Sequence, residues 1–243
     1  MFKIDTNKKL DNFIEKAINS DVLCIDTEFI RENTYYPQLC LVQMQIDRDS
    51  FILDPFCFDD LQPLAKVLDN KNVLKVFHAG KQDLEILYNE TGVVPNPVFD
   101  TQLAASVTDG ANQPSLSNLL KSTLGVKIDK TEGFTDWARR PLTDKQLRYA
   151  VEDVLYLPDL YAHQVQTMRE LGREDWLDGE FADMCLSENY EIDIWDRFAH
   201  LKHVNKLKDK QLALARQVAA WREETAQKKD LPRKRVLSDE QVI

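Results

Sequence analysis

Short apolar runs separated by short polar turns fill the first part of the chain. Apolar residues dominate positions 22–29, 39–46 and 51–54, and the lengths of these runs predict strands. Because the turns between them are short, we expect an antiparallel meander. No run approaches the roughly 18 consecutive apolar residues that a membrane-spanning helix needs.

Further along, apolar strands alternate with helical patterns. A helix is predicted near 60–69, a strand over 73–77, a second helix near 81–89 and a strand over 98–100. Strands that alternate with helices pair in parallel, so parallel strands should extend the meander. From residue 115 onward only helices are predicted. The pattern therefore indicates an α/β fold with a mixed sheet flanked by helices.

The C-terminal part of the chain has a different pattern. Residues 174–200 are acidic and aromatic and have no clean period, which predicts a connector. From Asp209 the apolar spacing predicts an amphipathic helix that stops before Pro232, and Ser238 then has the position of an N-cap. We predict a domain over 1–190, a connector over 191–207 and a helical segment over 208–243. We also expect this segment to be the start of a longer helical domain.

Charge is unevenly distributed along the chain, and this changes the expected partner. The net charge is −10, but residues 197–243 hold 12 Lys and Arg against 6 Asp and Glu. A basic segment of this kind can bind phosphates, although a solvated helix surface has the same composition. The N-terminus has acidic residues where an export signal would be basic, and the 4 cysteines form no CxxC pair. We therefore expect a cytoplasmic protein with no membrane partner.

Two carboxylates interrupt the first long apolar strand. Side chains alternate along a strand, so Asp26 and Glu28 point to one face while Ile25, Thr27 and Phe29 point to the other. Buried charges must be paired or hold a metal. The strand therefore predicts a cation, and the question becomes which residues complete its ligand set.

Three further residues are candidates. Asp83 would lie in the first turn of a helix, where the helix dipole also favours a carboxylate. Tyr149 and Asp153 are four residues apart on a helix that Thr143 should cap, so they share one face. Taken alone, this pair could equally be a surface Asp beside a packed Tyr.

Together these residues resemble a known enzyme family. Asp26, Glu28, Asp83, Tyr149 and Asp153 match the signature of the DEDDy 3'-to-5' exonucleases, which have a ribonuclease-H-like fold. The segments DTEFIRENTYYPQLCLVQ, FHAGKQDLE and TDWARRPLTDKQLRYAVEDVLYL resemble the ribonuclease D family over residues 1–190. The segment DKQLALARQVAAWREETAQKKDLPRKRVLSDEQVI resembles the opening of an HRDC (helicase and ribonuclease D C-terminal) domain.

The resemblance implies a two-metal hydrolysis. Asp26 would bridge both ions, Glu28 and Asp153 would hold the ion that carries the attacking water, and Asp83 would support the second. Tyr149 would orient the water, because a phenol with a pKa near 10 is a poor base at neutral pH. Ligands that are all oxygen favour two divalent cations, Mg²⁺ or Mn²⁺. The expected activity is a 3'-to-5' exoribonuclease that trims RNA 3' ends, such as those of tRNA precursors, and releases nucleoside 5'-monophosphates.

Six other residues are weaker candidates for substrate contacts. They are aromatic, amide, imidazole and guanidinium groups near the signature motifs: Phe29, Gln38, His78, Trp137, Arg139 and Arg140. Each has an alternative as a packing or solvated residue. Two other functions also stay open, a DNA-directed 3'-to-5' exonuclease and a catalytically silent RNA-binding scaffold. No obligate protein partner is indicated.

Overall fold

A computed structural model describes residues 1–128 and 135–243, and its central element is a mixed six-stranded sheet. The strands are β1 (Phe2–Ile4), β2 (Val22–Ile30), β3 (Gln38–Ile46), β4 (Asp49–Leu53), β5 (Leu74–Phe77) and β6 (Val98–Asp100). Their order across the sheet is β1-β4-β3-β2-β5-β6. Strands β3 and β4 are antiparallel, whereas β5 is parallel to both β2 and β6. The predicted meander with added parallel strands is confirmed.

Helices flank the sheet and continue to the C-terminus. They are α1 (Asn7–Ala17), α2 (Ala65–Leu68), α3 (Lys81–Thr91), α4 (Thr101–Thr108), α5 (Leu116–Thr123), α6 (Asp144–Leu155), α7 (Leu157–Glu170), α8 (Asp178–Met184), α9 (Asp209–Lys229), α10 (Arg233–Val236) and α11 (Asp239–Val242). None of the helices in the described ranges combines the length and apolar character that crossing a membrane requires.

Several elements differ from the sequence-based prediction, which gave none over residues 1–21. Strand β1 was not predicted, because it is only three residues long and its pairing with β4 is parallel and remote in sequence. The helix predicted near 60–69 is a 3-10 turn over Gln62–Leu64 followed by the short α2, with Pro63 at the start of the turn. Helix α8 lies inside the segment predicted to be an irregular connector.

The central strands send alternate side chains into two apolar clusters. On β2, Leu23 and Ile25 belong to one cluster and Cys24 belongs to the other. On β5, Phe77 belongs to the cluster of Leu23 and Ile25, and Val76 belongs to the cluster of Cys24. Because the side-chain period of a strand is two, Asp26 and Glu28 continue the face of Cys24.

The chain divides into two compact units. The first comprises Met1–Phe29 and Leu39–Tyr190, and the second comprises Ile30–Gln38 and Glu191–Ile243. The sheet core and all of α1 to α8 lie in the first unit. The second unit therefore includes both the C-terminal helices and the segment that joins β2 to β3.

Within the second unit, α9 holds the segment 30–38 by specific hydrogen bonds. The Tyr35 hydroxyl donates a short hydrogen bond to the fully buried Glu223 carboxylate. The backbone N–H groups of Tyr35 and Tyr36 donate to Asp230 Oδ1 at 2.9 and 3.2 Å. Asp230 ends α9 in the left-handed conformation (φ 46°), which disfavours residues with a side chain. The backbone of Asp230 thus ends the helix, and its carboxylate anchors this segment.

Candidate metal-binding active site

Strand β2 and helix α6 bring three carboxylates together. Oxygen atoms of Asp26, Glu28 and Asp153 all lie within 4.8 Å of one another, and each residue is half-buried. Asp26 and Glu28 share a face of β2, as the strand period predicted. Asp153 joins them because Val154 and Ala150 on α6 are fully buried, which fixes how this helix is rotated in the fold.

Local sequence explains why α6 forms and where it begins. Thr143 and Gln146 form a reciprocal capping box, in which Gln146 N donates to Thr143 Oγ1 at 3.2 Å and Thr143 N donates to Gln146 Oε1 at 2.9 Å. The N-cap predicted at Thr143 is confirmed. Tyr149 and Asp153 are four residues apart on this helix, and the Tyr149 hydroxyl donates a hydrogen bond to the Asp153 carboxylate.

Asp83 lies outside the group of three but is close enough to influence it. It is in the first turn of α3 and is 7% exposed, and Thr27 Oγ1 donates a short hydrogen bond to its Oδ1. Thr27 lies between Asp26 and Glu28 in sequence and points to the opposite face of β2. The sequence pattern predicted Asp83 as a site residue but not Thr27 as its partner. The alternation of side chains along β2 could have indicated this partner, because it places Thr27 on the face opposite Asp26 and Glu28.

A second missed residue, Asp100, fixes the loop from which α3 begins. Its carboxylate accepts hydrogen bonds from Ala79 N at 3.1 Å and Gly80 N at 2.7 Å, and it also caps α4 through Gln102 N. Gly80 is required here, because a Cβ atom would lie 2.5 Å from Phe77 Cβ. The position of Asp83 therefore depends on a buried carboxylate at the end of β6.

The electrostatics of the carboxylates favour a bound cation. Burial raises the pKa of Asp26 well above its ordinary value, and the neighbouring carboxylates raise it further. The same two causes raise the pKa of Glu28 to about 8. Burial raises the pKa of Asp83 to about 7 although the Thr27 hydrogen bond opposes the shift. A cation at the cluster reverses this balance by favouring the ionised forms.

The donor set fits a hard divalent ion. The three grouped ligands are all carboxylates, and neither His nor Cys belongs to the group in the described part of the chain. Oxygen ligands suit Mg²⁺ and Mn²⁺, whereas Zn²⁺ sites usually include nitrogen or sulfur. Asp26, Glu28 and Asp153 could therefore hold such an ion directly.

Comparison with known proteins agrees with this geometry. The sequence matches the 3'-5' exonuclease family over residues 1–168, which include all four carboxylates and Tyr149. The chain belongs to the 3'-5' exonuclease family. Residues 211–243 match the HRDC domain family. The resemblance to ribonuclease D and to the opening of an HRDC domain, and with it the fold class, is confirmed.

Named relatives of this exonuclease-family chain are similar to it along its whole length. It is 43% identical to ribonuclease D from Sphingobium indicum, over 98% of this chain and 61% of that protein. The crystal structure of Escherichia coli RNase D, an exoribonuclease involved in structured RNA processing, superimposes with a TM-score of 0.93 at 31% identity. That match covers 99% of this chain and 64% of the other. The chain therefore spans less than two thirds of the length of these relatives.

A smaller relative was solved with a metal ion. Brucella melitensis NrnC with bound Mg²⁺ superimposes with a TM-score of 0.64 at 30% identity. The match covers 75% of this chain and 87% of that protein.

The structure does not support Arg140 as a substrate contact in this exonuclease-family site. A guanidinium has five N–H donors, and all five are used inside the protein. Two bond to the Asp54 carboxylate, both at 2.8 Å, and three bond to the backbone carbonyls of Trp137, Arg139 and Cys40 at 2.7–3.1 Å. Local sequence patterns carry no sign of this role, because Asp54 is 86 residues away.

Trp137 and His78 also have structural environments. Trp137 is only 2% exposed, so its ring cannot stack on a substrate base in this conformation. His78 has protein partners at both ring nitrogens, Thr101 Oγ1 at 2.9 Å and the Pro114 carbonyl at 3.1 Å. Both residues therefore have structural roles within the fold, and their assignment as substrate contacts stays a prediction.

The remaining three candidates keep accessible surface. Phe29 is half-buried and packs against the core cluster that contains Ile25. Arg139 and Gln38 are exposed, the latter in the second unit. Their roles as substrate contacts stay predictions.

Proposed function

We propose that the chain is a divalent-metal-dependent 3'-to-5' exoribonuclease. The observation that carries this proposal is the group formed by Asp26, Glu28 and Asp153, with the Tyr149 hydroxyl bonded to Asp153, in a chain of the 3'-5' exonuclease family. We further propose that it removes nucleotides from RNA 3' ends, including those of tRNA precursors, and releases nucleoside 5'-monophosphates. The names of its ribonuclease D relatives support the choice of RNA over DNA.

Each residue of the site has a specific task in this proposal. Asp26, Glu28 and Asp153 hold the metal, and Asp83 supports a second ion from its position on α3. When bound, two divalent ions activate a water molecule and stabilise the leaving oxygen of a phosphodiester. Burial and the nearby carboxylates raise the pKa of Tyr149 above its ordinary value, so its phenol keeps its proton at neutral pH. Because this one proton is donated to Asp153, the Tyr149 oxygen can orient the water by accepting a hydrogen bond from it, and the neutral phenol is a poor general base.

A digest of matched oligonucleotides tests the proposed activity. We expect a 5'-labelled RNA to be shortened one nucleotide at a time from its 3' end in Mg²⁺ or Mn²⁺, with no cleavage in chelator. The released products should co-elute with nucleoside 5'-monophosphates, and a tRNA precursor should lose its 3' trailer. Faster digestion of DNA of the same sequence would indicate a DNA-directed enzyme. RNA binding without cleavage under any of these metal conditions would indicate a scaffold.

Replacing Tyr149 by Phe should slow hydrolysis without weakening metal binding. The substitution removes only the hydroxyl, and a positioned hydrogen-bonding group of this kind contributes about 100-fold or more to turnover. We expect kcat on a short RNA to fall by that amount while Mn²⁺ affinity, measured by calorimetry, stays at the parental value. Tyr161→Phe is the matched control, because Tyr161 is a half-buried tyrosine on α7 outside the site. Equal kcat for Tyr149→Phe and the parent would make Tyr149 a packing residue.

Exposed lysines of the second unit should contribute to RNA affinity through phosphate contacts. Arg233 pairs with Glu223 at 3.7 Å and Arg235 donates to Asn33, so the test leaves both in place. It neutralises four exposed lysines by substitution with Gln: Lys206, Lys208, Lys210 and Lys234. Each lost phosphate contact should reduce the slope of log affinity against log salt by about 0.7 to 0.9. The measurement is RNA affinity at several salt concentrations.

The matched control for these lysines neutralises four exposed lysines of the first unit: Lys8, Lys66, Lys121 and Lys127. We expect the control to retain most of the parental affinity. A salt slope that changes equally in both variants would mean that the C-terminal lysines have no special role. Point variants replace truncation here, since removing α9 would also remove Glu223 and Asp230, which hold the segment 30–38.

A further inference from the structure

The Tyr149 ring packs against Trp137, which is buried within the same unit. The two ring centroids are 5.9 Å apart with an interplanar angle of 43°, and Trp137 is 2% exposed. The hydroxyl of a tyrosine lies on the axis of its ring, so the neighbours of the ring determine where the hydroxyl points. Trp137 is such a neighbour for the group proposed to orient the attacking water.

Trp137 is itself held by Arg140. The Nη1 group of Arg140 donates to the Trp137 carbonyl at 2.7 Å, and Nη2 donates to the Cys40 carbonyl on β3 at 2.7 Å. Nε and Nη2 also form a bidentate pair with the Asp54 carboxylate, whose side chain is 6% exposed. One guanidinium thus fixes the segment before α6 to β3 and to the end of β4. Lysine cannot reproduce this, because it has a point charge and only three donors.

Resting on the proposed function, we infer that Arg140 and Asp54 are positioning residues for catalysis, which act through Trp137 on the orientation of the Tyr149 hydroxyl. Neither Arg140 nor Trp137 needs to touch the substrate for this. A misplacement of about 1 Å at a reacting group can cost on the order of 100-fold in rate. We therefore expect that removing the Arg140 hydrogen bonds or the Trp137 ring reduces turnover only while the Tyr149 hydroxyl is present.

A double-mutant cycle tests this dependence. The single variants are Trp137→Phe, Arg140→Lys and Tyr149→Phe, and the doubles combine each of the first two with Tyr149→Phe. The buried indole N–H of Trp137 has no hydrogen-bond partner in the described ranges, so Trp137→Phe removes no hydrogen bond there. We expect each of Trp137→Phe and Arg140→Lys to lower kcat about 10-fold in the parent, with KM and Mn²⁺ affinity unchanged, and to have no further effect beside Tyr149→Phe.

Phe13→Leu controls for general loss of stability, because Phe13 is a 2% exposed core residue of α1 that packs on Phe51. It should lower the melting temperature and leave kcat at the parental value. If Arg140→Lys does not fold, Trp137→Phe completes the cycle alone. Losses of kcat that multiply in the double variants would overturn the inference, since the two residues would then act independently of Tyr149.

A spectroscopic measurement separates this inference from the proposed function. With 3-fluorotyrosine incorporated, the ¹⁹F resonance of Tyr149, assigned by its absence in Tyr149→Phe, should shift or broaden in Trp137→Phe and in Arg140→Lys but not in Phe13→Leu. This result does not require activity, so a chain that cleaves no RNA would contradict the proposed function only. An unchanged Tyr149 resonance in both variants would overturn the positioning role.

Discussion

Asp26→Asn should reduce turnover of RNA by on the order of 1000-fold while the protein stays folded. A metal ion contributes several kcal/mol of charge stabilisation in such reactions, and each 1.36 kcal/mol corresponds to a tenfold change in rate. Asn has the same size as Asp but brings no negative charge, and Asp26 is one of the three grouped ligands. The measurement is kcat at saturating Mg²⁺ together with the melting temperature.

The matched control for this substitution is Asp21→Asn, since Asp21 is an exposed carboxylate immediately before β2. It should have parental kcat. In chelator, Asp26→Asn should unfold at the same temperature as the parent or higher, because the neutral amide avoids the penalty that burial and the neighbouring carboxylates impose on an ionised Asp26. Near-parental turnover of a folded Asp26→Asn protein would refute the assignment of the metal site.

In chelator, the free energy of unfolding should decrease as pH rises from about 4 to about 8. In an unfolded chain, Asp and Glu side chains titrate near pH 4. In the folded chain burial raises the pKa of Glu28 to about 8 and that of Asp83 to about 7. The folded state therefore keeps protons that the unfolded state has lost, and stability present below pH 4 is lost as pH rises through the folded values. Since one pKa unit corresponds to about 1.36 kcal/mol, the total loss should be on the order of several kcal/mol.

Denaturant unfolding at a series of pH values measures this effect. Glu28→Gln should flatten the dependence, whereas Asp5→Asn should not, because Asp5 lies outside the carboxylate group and its pKa is lowered by its hydrogen bond to Lys9. Adding Mg²⁺ or Mn²⁺ at about 100 times its dissociation constant should restore roughly 2.7 kcal/mol near pH 8. Stability that rises with pH in chelator would mean that these carboxylates are not destabilised by burial and repulsion.

The sequence by itself determined the parts of the site that depend on local backbone geometry. A strand has a side-chain period of two, which placed Asp26 and Glu28 on one face. A helix brings residues four apart together, which placed Tyr149 beside Asp153, and the Thr143 cap followed from the same local rules. Most of the sheet followed as well, because apolar run lengths and strand–helix alternation reflect which segments can bury surface.

Only the tertiary structure decided which distant groups meet. The pairing of Arg140 with Asp54, the hydrogen bond from Thr27 to Asp83 and the anchoring of the loop before α3 by Asp100 join segments far apart in sequence. In the sequence, Trp137 and Arg140 are candidates for substrate contacts, because an aromatic ring or a guanidinium can serve either in packing or in binding. Their burial and partners depend on how remote strands and helices pack, and residue type and local periodicity carry no information about that.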